Sequence, residues 1–171
     1  MSPSRTLIAE PLSSDAFAPF GDVLEAAGEP ARLINDGACG RWHDLAALDF
    51  TDGRAGISLF RADIRSLPYR FDLVERHPNG SQAFIPMEAV PFLVIVAPGE
   101  GDRPGAPHAF VTRPGEAINF HRGVWHGVLT PIAGNGLFAV IDRIGEGANL
   151  EEFRYDAPFT VMTEDGSDSS S

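Results

Sequence analysis

From Leu33 onward the chain is interrupted every few residues by clusters of glycine, proline and asparagine, among them "HPNG", "APGEGDRPGAP", "RPGE" and "AGNG". Between them lie short apolar or alternating runs: 56–62, 82–87, 91–97, 108–112, 117–121 and 136–142. Such runs, bounded by residues that set tight turns, read as strands, because neighbours two apart share one face of a pleated backbone. Alternating β and α units would need long helical patterns between the strands, and the repeated turn signals argue against them. The expected fold is all-β, a sandwich or barrel.

Near the start, "LSSDAFAPFGDV" offers Ser13 or Ser14 as an N-cap, Asp15 for the first turn and Gly21 as a stop, so one or two short helices are expected, shortened by Pro19. "LVERHPNGSQAFIPM" reads as a hairpin closed by Asn79-Gly80, a pair suited to positive φ. Alternation then puts Glu75 with His77 on one face, Gln82 with Phe84 on one face, and Arg76 on the opposite side. The tail 163–171, "TEDGSDSSS", has nothing to bury and is expected to be disordered, leaving 1–162 as one domain.

A net charge of −11, with 24 acids against 13 bases and no basic cluster, disfavours nucleic acid and anionic membranes and leaves small molecules or proteins as partners. All the bases are arginine, which closes catalysis through a lysine imine. The single cysteine, Cys39, excludes an internal disulfide and suits a reducing compartment. The segment 1–10 carries no leader-like pattern and no run is long enough to span a bilayer, so the expected address is the cytoplasm.

Four of the five histidines sit in chemically suggestive contexts: His43 in "GRWHDLA", His77 in "ERHPNG", and His121 and His126 in "NFHRGVWHG". His108 looks incidental and Trp125 reads as core filling. Glu75, His77, Gln82 and His126 form a set that, if it converges, can hold a divalent cation or polarise a hydroxyl; none of these residues does so alone.

The spacing of these residues resembles two cupin motifs. In the first, Glu75, His77 and Gln82 stand where cupins have histidine, histidine and glutamate; in the second, Gly123, Val124, Trp125 and His126 follow a proline-glycine turn. Read across the chain, "SSDAFAPFGDV", "INDG", "GRWHDLA", "ERHPNGSQAFIPM", "NFHRGVWHGVL" and "VIDR" resemble, in order and spacing, the ureidoglycolate lyase family of allantoin degradation, from about Leu7 to Val161. The resemblance implies a cupin-like β-barrel (double-stranded β-helix), cleavage of (S)-ureidoglycolate to glyoxylate and urea, a homodimer, and nickel or a similar divalent ion.

On this reading His77, Glu75 and His126 carry the catalysis, and Glu75, His77, Gln82 and His126 hold a metal if one binds. Gln82, Arg61, Asn35, His43 and Asp142 are the substrate-side candidates. Arg61 is a candidate carboxylate anchor because guanidinium holds a carboxylate through paired hydrogen bonds, although it shares its strand face with Ile57 and Leu59, opposite Ser58. Asp142 or Glu75 is expected to hold the second nitrogen of a catalytic histidine. Asn35 and His43 come from the family blocks and would reach the barrel mouth from a loop or a partner subunit. The alternatives are another small-acid cupin enzyme, an isomerase or dioxygenase, or a non-catalytic glyoxylate-binding sensor.

Overall fold

The computed structural model describes residues 5–167, and these are almost entirely β. The chain opens with β1 (Arg5–Ile8), β2 (Glu10–Pro11) and a one-turn helix α1 (Ser14–Phe17), whose N-cap Ser13 accepts a hydrogen bond from the Ala16 N–H. Then follow β3 (Gly21–Leu24), β4 (Arg32–Ile34), β5 (Cys39–Arg41), β6 (Arg54–Arg61), β7 (Tyr69–Arg76), β8 (Gln82–Pro86) and β9 (Phe92–Ala97). The second half holds β10 (Gly99–Glu100), β11 (Arg103–Pro104), β12 (His108–Val111), β13 (Ala117–Phe120), β14 (Trp125–His126), β15 (Thr130–Pro131), β16 (Leu137–Ile144) and β17 (Glu151–Met162). A 3-10 turn, Glu164–Ser167, ends the described chain, and the rest of the tail expected to be disordered lies outside the described residues.

Two sheets face each other. The larger runs β1-β17-β7-β14-β9-β12-β2, with β15 also on β9; the smaller runs β3-β13-β8-β16-β6. β1 and β2 form the two edges of the larger sheet yet are separated in sequence only by Ala9, so one segment ties both edges and the sheet rolls into a nearly closed barrel. The expected all-β, cupin-like barrel with one or two short helices is the observed architecture.

The continuous apolar run of β9 is explained by this packing, because the strand is buried on both faces. Phe92, Val94 and Val96 point between the sheets, where they meet Phe17, Phe84, Phe110, Ile118, Phe120, Phe138 and Val140. Leu93, Ile95 and Ala97 point into the curl of the larger sheet with Phe71, Val74, Trp125, Phe159 and Val161. Each such side chain contributes about 1.5–3 kcal/mol on burial, so the two clusters fix the relation of the sheets.

One expected element is different. β7 pairs with β14 and β17 in the larger sheet, whereas β8 pairs with β13 and β16 in the smaller one, so Asn79-Gly80 does not close a hairpin. The segment 77–81 crosses from sheet to sheet, and neither Asn79 nor Gly80 adopts positive φ. Gly80 is needed there for room: a Cβ would lie 2.8 Å from the Arg143 Cβ and 3.0 Å from the Phe50 ring. Likewise Gly21 does not stop the helix but starts β3, where a Cβ would lie 1.9 Å from the Asn119 carbonyl oxygen.

Candidate active site

The crossing segment gathers side chains from both sheets at one end of the inter-sheet space. Glu75 lies directly opposite His126 across the β7–β14 pair, so the two side chains project together. His77 follows just beyond β7, and the ligand atoms of Glu75, His77 and His126 all fall within 4.8 Å of one another. The rings of His77 and His126 have centroids 5.2 Å apart.

His126 is 0% exposed. Its ring stacks on Phe120 at 4.2 Å and its Nδ1–H donates to the Gly127 carbonyl at 2.8 Å, which leaves the Nε2 lone pair buried and without a partner. Burial pushes the imidazole down to about 3, against the opposing pull of the Gly127 carbonyl and helped by nearby His77, so the ring is neutral at physiological pH. A buried neutral imidazole with a free lone pair is a ligand or a hydrogen-bond acceptor, not a proton store. Burial likewise raises Glu75; the His77 charge opposes this and Glu152 adds to it.

His77 organises a polar chain. Its Nδ1 meets the Asn149 carbonyl at 2.8 Å, its Nε2 meets Gln82 Oε1 at 3.1 Å, and Gln82 Nε2 donates to Asp142 Oδ2 at 3.2 Å. Both His77 nitrogens therefore face acceptors, and a neutral imidazole can satisfy only one. Turning the Gln82 amide over reverses its donor and acceptor roles towards His77 and Asp142. Contrary to expectation, backbone carbonyls, not Asp142 or Glu75, fix the far nitrogens of both histidines.

Other candidates are placed elsewhere. Arg61 pairs with Leu137, while Asp142 pairs with Gly56, so Arg61 sits at the opposite end of β6, about 17 Å along the strand. It also shares the outer face with Ile57 and Leu59, which are 77% and 64% exposed. Asn35 lies in the β4–β5 turn, and His43 lines a pocket of about 110 Å³ with Ala31, Arg32 and Arg41; no hydrogen bond joins either to the cluster among the described residues. His121 bonds Asp22 at 3.2 Å; Asn119 and the Ala47 N–H also donate to Asp22, so its carboxyl is held below the usual range although burial alone would raise it. Trp125 is core, with the Arg76 guanidinium 4.5 Å from its ring centroid.

The residue missed in the sequence is Asn149, whose carbonyl meets His77 and whose side-chain oxygen accepts from the Asn79 N–H. Cavities of about 330 and 440 Å³ open elsewhere on the surface, and neither includes Glu75, His77 or His126. The His126 ring packs among His77, Phe84 and Phe120 at the edge of the inter-sheet core.

No helix among the described residues is long and apolar enough to cross a membrane. Comparison with known proteins finds a match to the family model described as ureidoglycolate lyase over residues 4–162. The chain is 57% identical to the ureidoglycolate lyase of Rhodobacter capsulatus, covering 91% of this chain and 97% of that protein. It is 50% identical to the ureidoglycolate lyase of a Chelativorans species, covering 92% and 96%. With ureidoglycolate lyase 2 of Rhizobium meliloti it shares 48%, covering 88% and 94%. With the paired sheets, the converged acid and histidines and a match along nearly the whole chain, this protein belongs to the ureidoglycolate lyase family.

Proposed function

We propose that this chain cleaves (S)-ureidoglycolate to glyoxylate and urea. The observation that carries the reading is the convergence of Glu75, His77 and His126 at the barrel mouth in a chain of this family. The substrate carries a hydroxyl, a carboxylate and a ureido nitrogen on one carbon. Its breakdown needs the hydroxyl proton removed, the carbon–nitrogen bond broken and a proton delivered to the departing nitrogen. Glu75, whose burial disfavours the charged form, accepts the hydroxyl proton. His77, whose ring nitrogen lies within 4.8 Å of the Glu75 carboxylate, hands a proton to the departing ureido nitrogen, and the proton taken up by Glu75 then resets His77, so none is gained or lost overall.

The donor set also fits a divalent ion. The partnerless buried Nε2 of His126 asks for one, and Glu75, His77 and Gln82 supply further nitrogen and oxygen donors of the kind nickel, manganese or zinc accept. Such an ion supplies Lewis-acid polarisation of the substrate oxygens. We further propose a homodimer, supported by the exposed Ile57 and Leu59 on a strand with a free edge, and a cytoplasmic address, supported by the single cysteine.

The test is an assay of urea and glyoxylate from ureidoglycolate with metal-stripped protein, repeated after adding nickel, manganese or zinc. Equal release of both products, restored by metal, is expected; ammonia in place of urea would overturn the lyase reading.

A further inference from the structure

β4 and β5 stand apart from the barrel. They pair only with each other, most of the arm is exposed, and Leu33 is 63% exposed. The tip keeps a defined shape nonetheless: Asn35 and Asp36 both have φ of 56°, Gly37 has 86°, and the Gly37 and Ala38 N–H groups donate back to the Ile34 and Asn35 carbonyls. Asn, Asp and Gly are the residues that tolerate this left-handed region. At the base Trp42 Nε1 donates to the Ala27 carbonyl.

Arg32 and Arg41 face each other directly across this arm. Like charges in that relation repel, and neither guanidinium has a hydrogen bond or ion pair among the described residues. On a chain of net charge −11 they form a local cationic pair without an anion.

The barrel mouth has the opposite deficiency. Glu75, Asp142 and Glu152 lie there, and the nearby arginines are engaged: Arg76 with Glu151, Arg122 with Asp49, Arg143 with Asp52, and Arg54 turned onto the Ala55 carbonyl. A metal ion would offset Glu75 but would not give the two parallel donors that hold a carboxylate. Among the described residues no hydrogen bond, ion pair or ring contact joins β4 or β5 to Glu75, His77, Gln82 or His126 of the same chain.

We propose that the site is completed by a second copy of this chain, whose β4–β5 arm lies across the mouth and presents Arg32 and Arg41 to the substrate carboxylate. This rests on the lyase reading for the identity of the carboxylate. The exposed apolar face and free edge of β6 give the second copy a surface on which to seat.

Two experiments test it. Arg32→Gln/Arg41→Gln lowers kcat/KM by roughly 100-fold, mainly through KM, while the exposed positions leave folding unchanged. Mixing this variant with inactive, isosteric Glu75→Gln under subunit exchange restores about one quarter of wild-type activity, because half of the dimers are mixed and each of these has one intact site. No restoration in proven mixed dimers, or full activity of the arginine variant alone, would overturn the proposal. Independently of activity, a maleimide–diazirine reagent on Cys39, the sole cysteine, inserts into 75–77 or 149–152 of the other chain in isotope-mixed protein. Insertion confined to its own chain would also overturn the proposal. If wild-type protein released no urea but crosslinked between chains, the arm contact would stand and the lyase reading would fall.

Discussion

His126 has one nitrogen committed to a backbone carbonyl and the other facing the cluster with no partner, in a place too dry for a charged ring. Its folded value near 3 lies below the ordinary 6.5, so the unfolded chain takes up a proton that the folded chain refuses. The stability this contributes is whole above 6.5 and is lost as pH falls towards 3, at about 1.4 kcal/mol per pH unit. Metal-free wild type should therefore lose about 2 kcal/mol between pH 7 and 5 through this residue, and His126→Phe, still able to stack on Phe120, should lose that part of the slope. Urea unfolding at the two pH values checks this; identical acid sensitivity in both proteins would place the proton elsewhere. The resemblance of their sequence blocks to the cupin motifs and to the family singled out His126, Glu75 and His77. It could not exclude Arg61, because alternation tells which face a residue shares and not at which end of the barrel its strand leaves it.

The short stretch from His77 to Ser81 shows what changes at the level of elements. An asparagine-glycine pair between two strands favours a hairpin locally, yet the strands on either side bury their apolar faces against different partners. The crossing brings Gln82 to His77 from the opposite sheet, a contact that a two-stranded ribbon would not need. Gly80→Ala should cost about 1–3 kcal/mol by forcing Arg143 and the Phe50 ring apart, and it should lower activity by shifting His77 against Gln82. Thermal denaturation alongside turnover measures both; an unchanged melting temperature would show that the crossing has slack. β17 is hard to read from the sequence because its charged N-terminal third, Glu151–Arg154, hides the alternation, and its pairing register shifts between Arg154 and Phe159.

At the scale of the molecule, the outer face of the smaller sheet carries exposed apolar side chains on its edge strand. Ile57 and Leu59 on edge strand β6 expose apolar surface that a lone soluble domain would be expected to cover or charge. Leu59→Arg should abolish the proposed dimer without unfolding the chain, read by light scattering and circular dichroism, and should thereby also reduce activity. A variant that stays dimeric would move the interface to another face.

The sequence by itself determined the all-β class and the apolar run that becomes β9, and its blocks, by their resemblance to the family, singled out Glu75, His77 and His126. The strands follow from local preferences and a period of two, which neighbouring residues express without help; the site candidates follow from the resemblance. The tertiary structure alone decided that β7 and β8 part into different sheets, that Gln82 bridges His77 to Asp142, and that the cationic arm stands free. Those outcomes depend on which distant strands bury one another's faces, and that choice is made by packing across the whole chain.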